Sequence, residues 1–149
     1  MKQTTLCYPI KDGKVLLAMK KRGFGAGKWN GAGGKLKSGE NPLDACQREV
    51  KEEIGIGLPE VEERGIIEFR FPERPEWDQD CHIFVATAIS GEPSETEEMK
   101  PGWFSFDGLP YADMWDDDPH WLLGVLRGGR VNMRFYFDAT SNLLRFENL

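Results

Sequence analysis

Residues 33–56 read GGKLKSGENPLDACQREVKEEIGI, and no other stretch limits the fold as much. From Asn41 to Ile54 the pattern is helical. Leu43, Ala45, Cys46 and Val50 supply apolar positions, Pro42 suits a first turn and Gly55 a C-terminal cap. On a helix Glu49 and Glu52 lie about 60° apart and Glu49 and Glu53 about 40° apart, so all three project to one side. Like charges at these spacings repel. Two readings follow from the residues alone: a solvated acidic face, or a cation site in which Glu40 adds an oxygen and Arg48 holds a carboxylate by a forked pair.

The rest of the chain reads as strands around this helix. TTLCYPI and KVLLAMK flank KDG and form a hairpin. Six glycines between Gly23 and Gly34 imply a tight path or a close approach of backbone to a ligand. RGIIEFRF, CHIFVATAI and GWFSF read as strands, and VNMRFYF with LLRFE closes the chain as a second hairpin. DDDPHWLLGVLRGG, acidic first and with Arg127 near its end, has the polarity of a helix. Trp103 and Trp121 read as core, His82 as structural, and His120 has no evident partner. The order of elements predicts one domain over residues 1–149, a mixed α/β sandwich.

Composition narrows the function. A net charge of −6 argues against stable nucleic-acid binding, though not against a nucleotide enzyme whose bound cation inverts the local sign. Three dispersed cysteines, Cys7, Cys46 and Cys81, form no CxxC pair and fit a reduced, cytoplasmic setting. No apolar run suggests a membrane segment. GFGAGK is neither a dinucleotide fingerprint nor a P-loop, since Lys28 stands where the last glycine would be and Trp29 follows it.

The spacing Gly34, five residues, Glu40, seven residues, Arg48-Glu49, Val50, then Glu52-Glu53, Gly55 and Ile56 decides between the two readings of the acidic face. It matches the Nudix box G-x5-E-x7-R-E-U-x-E-E-x-G-U, with U apolar, at every defined position. Chance agreement at seven fixed letters is roughly 10⁻⁹ per start. The chain therefore resembles the Nudix hydrolases.

The resemblance implies an α/β/α sandwich with a mixed central sheet and hydrolysis of a nucleoside diphosphate derivative. It implies Mg²⁺, with Mn²⁺ as a substitute, held by Glu49, Glu52, Glu53 and the Gly33 carbonyl, with Arg48 as orienter. MKKRGFGAGKWNGAGGK and EMKPGWFSFDGLPYADMWDDD further resemble the animal branch of the family that acts on oxidised purine nucleoside triphosphates. Carried over, that likeness implies a base pocket of Asn30, Trp115, Asp117 and Asp118, walls of Phe24 and Phe69, and Thr5 and Lys20 at its edge. Glu98 is implied near the metals as a further ligand or base. Asn30 brings both a donor and an acceptor, Trp115 a stacking face, and the aspartate pair one proton to share.

The residues alone read DDD as a helix cap; the likeness reads it as base recognition. The expected substrates are 8-oxo-dGTP and 2-oxo-dATP, cleaved to monophosphate and pyrophosphate by a monomer. Dinucleoside polyphosphates, RNA 5′ ends and nucleotide sugars are the alternatives. A non-catalytic binding module would be expected to have lost a box glutamate, and all remain. Two departures from the likeness bear on specificity. Ala32 replaces a bulkier aromatic, which predicts a roomier floor beside Asn30, and Pro72–Asp80 differs in length and composition at the pocket mouth.

Overall fold

The computed structural model describes residues 1–149. β1 (Lys2–Lys11), β2 (Lys14–Lys20) and β3 (Trp29–Asn30) precede α1 (Pro42–Ile54). β4 (Gly57–Arg70), β5 (Gln79–Ser90) and β6 (Met99–Ser105) follow, then α2 (Leu122–Leu126) and the hairpin β7 (Val131–Phe137) and β8 (Leu143–Asn148). The strands join in one sheet of order β3-β2-β1-β5-β4-β7-β8, with β6 paired to β2. β1 with β5 and β4 with β7 are parallel and the other pairs antiparallel, which gives the expected mixed sheet. No helix is long and apolar enough to cross a membrane.

Local chemistry accounts for α1. Asn41 is extended and its side chain accepts from the Asp44 N–H at 2.8 Å, while Gly55 at φ +79° donates to Lys51. Its buried face is Ala45, Cys46, Val50 and Ile54; Leu43, expected on that face, is exposed. The β1–β2 turn has Asp12 and Gly13 both at positive φ, the geometry a two-residue hairpin needs.

Strand alternation sends neighbouring residues to opposite cores. Cys7, Leu16 and Phe84 pack beneath α1, whereas Tyr8, Leu17 and Val85 face the layer containing Trp121, Leu122 and Val125. Ala32 bridges Cys7 and lies in the core beneath α1, so its small side chain does not widen the floor beside Asn30 as expected. Trp103, expected in the core, is exposed, while Trp121 is buried as expected.

β4 starts seven residues before the predicted RGIIEFRF, because pairing with β5 carries the charged stretch Glu60–Arg64 into the ladder through register shifts. At its bend Gly65 has φ +127°, and a Cβ there would lie 1.7 Å from the Val131 carbonyl oxygen. The helix expected over DDDPHWLLGVLRGG is mostly absent. A 3-10 turn, Asp118–His120, leads into only five helical residues, and no aspartate side chain caps either one. Burial of Asp117 and Asp118 removes them from the capping role. His82 is tied to Gln3 and Glu63, as a structural residue would be, and the His120 ring packs 4.4 Å from that of Phe146.

Candidate active site

The glycine-rich segment positions the site by close contact. A Cβ on Gly33 would lie 1.9 Å from the Thr5 carbonyl oxygen, and one on Gly34 would lie 2.5 Å from the Glu49 carboxyl. The chain therefore crosses β1 tightly enough for the Thr5 N–H to donate to the Gly34 carbonyl at 2.9 Å, and it lies directly against α1. Upstream, Gly23, Gly25 and Gly27 all have positive φ, and the Gly27 N–H donates to the Lys20 carbonyl at 2.8 Å. This loop carries Phe24 over the sheet, with Gly25 seated under the Trp115 ring.

Arg48 organises the acidic helix. Its Nε and Nη2 donate to the two oxygens of Glu40, each at 2.8 Å, and its Nη1 donates to Glu49 at 2.8 Å and to Glu52 at 3.2 Å. The fork, with the Lys37 N–H, pulls Glu40 down to a pKa of about 2. Both Glu40 oxygens are thus occupied, and the carboxylate expected to add an oxygen to a cation instead holds Arg48. Glu53 is different. Burial, then the Glu49 charge, pushes it up to about 7 against the Gly33 N–H and Lys20, and its Oε2 is buried with no partner.

Beside the helix opens a cavity of about 580 Å³, the size of a nucleotide-scale pocket. Gly33, Gly34, Glu53, Lys20 and Glu98 line it, and Thr5 borders it from β1. Asn30, Asp117 and Asp118 also line it, with Phe24, Phe69 and Trp115 among the walls. Arg48, Glu49 and Glu52 do not line the cavity; they stand on the helix beside Glu53. Glu98 accepts from Arg22, and that hydrogen bond, with the Arg22 charge behind it, lowers the Glu98 pKa. No three Asp, Glu, His or Cys side chains converge in a metal-ligand array as the side chains stand, and Arg48 engages Glu49 and Glu52.

The aspartates of DDD separate in role. Asp116 is exposed and accepts from the Leu143 N–H at 3.1 Å. Asp117 and Asp118 are each 2% exposed. Asp117 Oδ2 accepts from Trp121 Nε1 at 2.7 Å, and burial outweighs this bond to raise its pKa to about 6. Asp118 Oδ2 has no partner; burial, then the Asp117 charge, raises its pKa well above the ordinary value. One proton shared by the pair, resident on Asp118, fits both observations.

Sequence reasoning missed several lining residues. Trp77, in a 3-10 turn inside Pro72–Asp80, has its ring 5.0 Å from Phe24, which is itself 5.3 Å from Trp115. Phe71 and Phe137 stack at 5.6 Å behind them. The alternation of β4 and β7 was the available signal for the phenylalanines; nothing in the sequence placed Trp77.

A mixed sheet with a capped acidic helix on one face and an aromatic-walled cavity beside it is an architecture that suits a nucleotide hydrolase. The NUDIX domain model matches residues 2–124, and the chain belongs to the NUDIX family. It is 42% identical over 142 residues to the oxidized purine nucleoside triphosphate hydrolase of Mus musculus, covering 95% of this chain and 90% of that protein. With the Danio rerio protein of the same name it is 45% identical, covering 93% and 88%. The crystal structure of a MutT protein from Bacillus halodurans superposes with a TM-score of 0.86 at 29% identity, covering 99% of this chain and 97% of that one.

Proposed function

We propose that this protein hydrolyses oxidised purine nucleoside triphosphates, 8-oxo-dGTP and 2-oxo-dATP among them, to the monophosphate and pyrophosphate. One observation carries the reading: a single cavity is lined both by Glu53 and Gly33 of the acidic-helix region and by Asn30, Asp117 and Asp118. The high identity to the two animal hydrolases supports it.

The donor set suits a hard divalent cation. Glu53 Oε2 is buried and unpartnered, and Glu49 keeps one oxygen outside the grip of Arg48. Glu49, Glu52, Glu53 and the Gly33 carbonyl would hold Mg²⁺ or Mn²⁺, and Glu98 would serve as a further ligand or base. When bound there, the metal supplies acidity to water and offsets charge on phosphate oxygens. Arg48 orients the glutamates from behind. Lys20, which lines the cavity near Glu53, would meet the phosphates. Trp115 and Phe24 give the base aromatic faces, and Phe69 and Thr5 bound it.

The Asp117–Asp118 pair gives breadth of recognition. With one proton between them the pair offers a donor and an acceptor, and relocating that proton exchanges the two. An edge carrying a carbonyl beside an amino group can then be read in either order, as oxidised guanine and oxidised adenine require.

The test is kcat/KM for 8-oxo-dGTP against dGTP in Mg²⁺, following pyrophosphate release, with Glu53→Gln in parallel. A large preference for the oxidised base, lost in the variant, is expected. Equal rates on both nucleotides would overturn the assignment.

A further inference from the structure

Asn30 was expected to offer the base both a donor and an acceptor, but its acceptor is already engaged. Tyr8 Oη donates to Asn30 Oδ1 at 3.1 Å, and the Gly31 N–H donates to the same oxygen at 2.9 Å. Gly31 N–H can only donate, so the amide cannot be turned over without setting two donors against each other. The Asn30 amide nitrogen donates to no group of the protein, and the residue lines the cavity.

Tyr8 is built to hold this arrangement. It is fully buried on β1, opposite Val85 of β5, with its ring set edge-on to Trp121 at 5.7 Å. Gly31 is fitted to it, because a Cβ there would come within 2.9 Å of both the Tyr8 ring and the Cys7 carbonyl oxygen. Burial raises the phenol's pKa, so the hydroxyl keeps its proton.

We propose that Tyr8 is a positioning residue for substrate selection: it saturates Asn30 Oδ1 and locks the amide so that Asn30 presents only N–H donors to the purine. The ligand feature selected is an acceptor on the base edge, a carbonyl oxygen or an unprotonated ring nitrogen. Tyr8 also supports the second reader, since the indole it packs against is the one that fixes Asp117. This rests on the assignment of the cavity to an oxidised purine.

A double-mutant cycle of Tyr8→Phe and Asn30→Ala, scored as KM and kcat for 8-oxo-dGTP, separates positioning from simple packing. Tyr8→Phe keeps the ring and removes one hydroxyl. Loss of one net hydrogen bond corresponds to a KM rise of roughly threefold to tenfold, with kcat within about twofold. In the Asn30→Ala background the same substitution is expected to leave KM unchanged. In ¹⁵N-labelled protein without nucleotide, Tyr8→Phe should also shift the Asn30 side-chain amide pair.

An equal KM rise in both backgrounds would show Tyr8 acting through the core and overturn the proposal. An effect of Asn30→Ala with none of Tyr8→Phe would overturn it while leaving the base pocket intact. If Asn30→Ala alone had no effect, the base-reading role would fall first and the proposal with it.

Discussion

The Trp121 indole N–H donates to Asp117 across 2.7 Å, with both side chains buried. A buried acid in this position needs a donor, and the donor comes from the following turn of chain rather than from solvent. Trp121→Phe would keep an aromatic in the core and strand the carboxyl. Loss of stability on the order of 1–3 kcal/mol is expected, measured by denaturant unfolding. The Asp117 pKa should climb further, because the indole bond now holds it down. KM for 8-oxo-dGTP should rise more than kcat falls.

The aspartate pair makes stability depend on pH with a definite sign. Asp117 titrates near 6 when folded, against an ordinary value of 3.8, so the native state holds a proton that the unfolded state has released. Its contribution is fully present below about pH 4 and is lost as pH rises through about 6. Asp117→Asn is neutral throughout and can still accept from Trp121. Relative to the parent it should therefore gain stability between pH 4 and pH 8, on the order of 2 kcal/mol. Unfolding curves of both proteins at the two pH values measure the difference directly.

The metal role proposed for Glu53 can be read through stability. Its burial beside Glu49 disfavours the charged form, and its Oε2 lacks a partner. Glu53→Gln should raise the metal-free melting temperature at pH 8 while abolishing the rise that Mg²⁺ confers on the parent. Hydrolysis should fall on the order of 10²-fold or more. A variant that still showed the full Mg²⁺-induced shift would remove Glu53 from the metal site.

Trp77 closes the aromatic wall from a segment unlike the rest of the pocket. Its ring lies 5.0 Å from Phe24 and 5.5 Å from Phe71, and Arg74 stacks on it at 5.2 Å. Trp77→Ala should raise KM for 8-oxo-dGTP by roughly threefold to tenfold, as loss of such ring contacts entails. Preference over dGTP should fall because Phe24 loses a side support. Parallel kcat/KM measurements on both nucleotides check this.

What the sequence determined by itself is what local chemistry controls. Pro42 and Gly55 mark α1, and the spacing from Gly34 to Ile56 places three glutamates on one side of it and identifies the family. The short apolar runs TTLCYPI, KVLLAMK and CHIFVATAI read as strands, and β1, β2 and β5 stand there. Tertiary structure alone decided which polar atoms were already engaged. Glu40 is held by Arg48, and Asn30 Oδ1 by Tyr8, a residue 22 positions away in the chain. It also placed Ala32 beneath α1, left Leu43 and Trp103 exposed, and brought Trp77 to the cavity. The reason is physical. Periodicity reports which face a residue occupies, whereas hydrogen-bond saturation and burial depend on groups that only sheet pairing brings together.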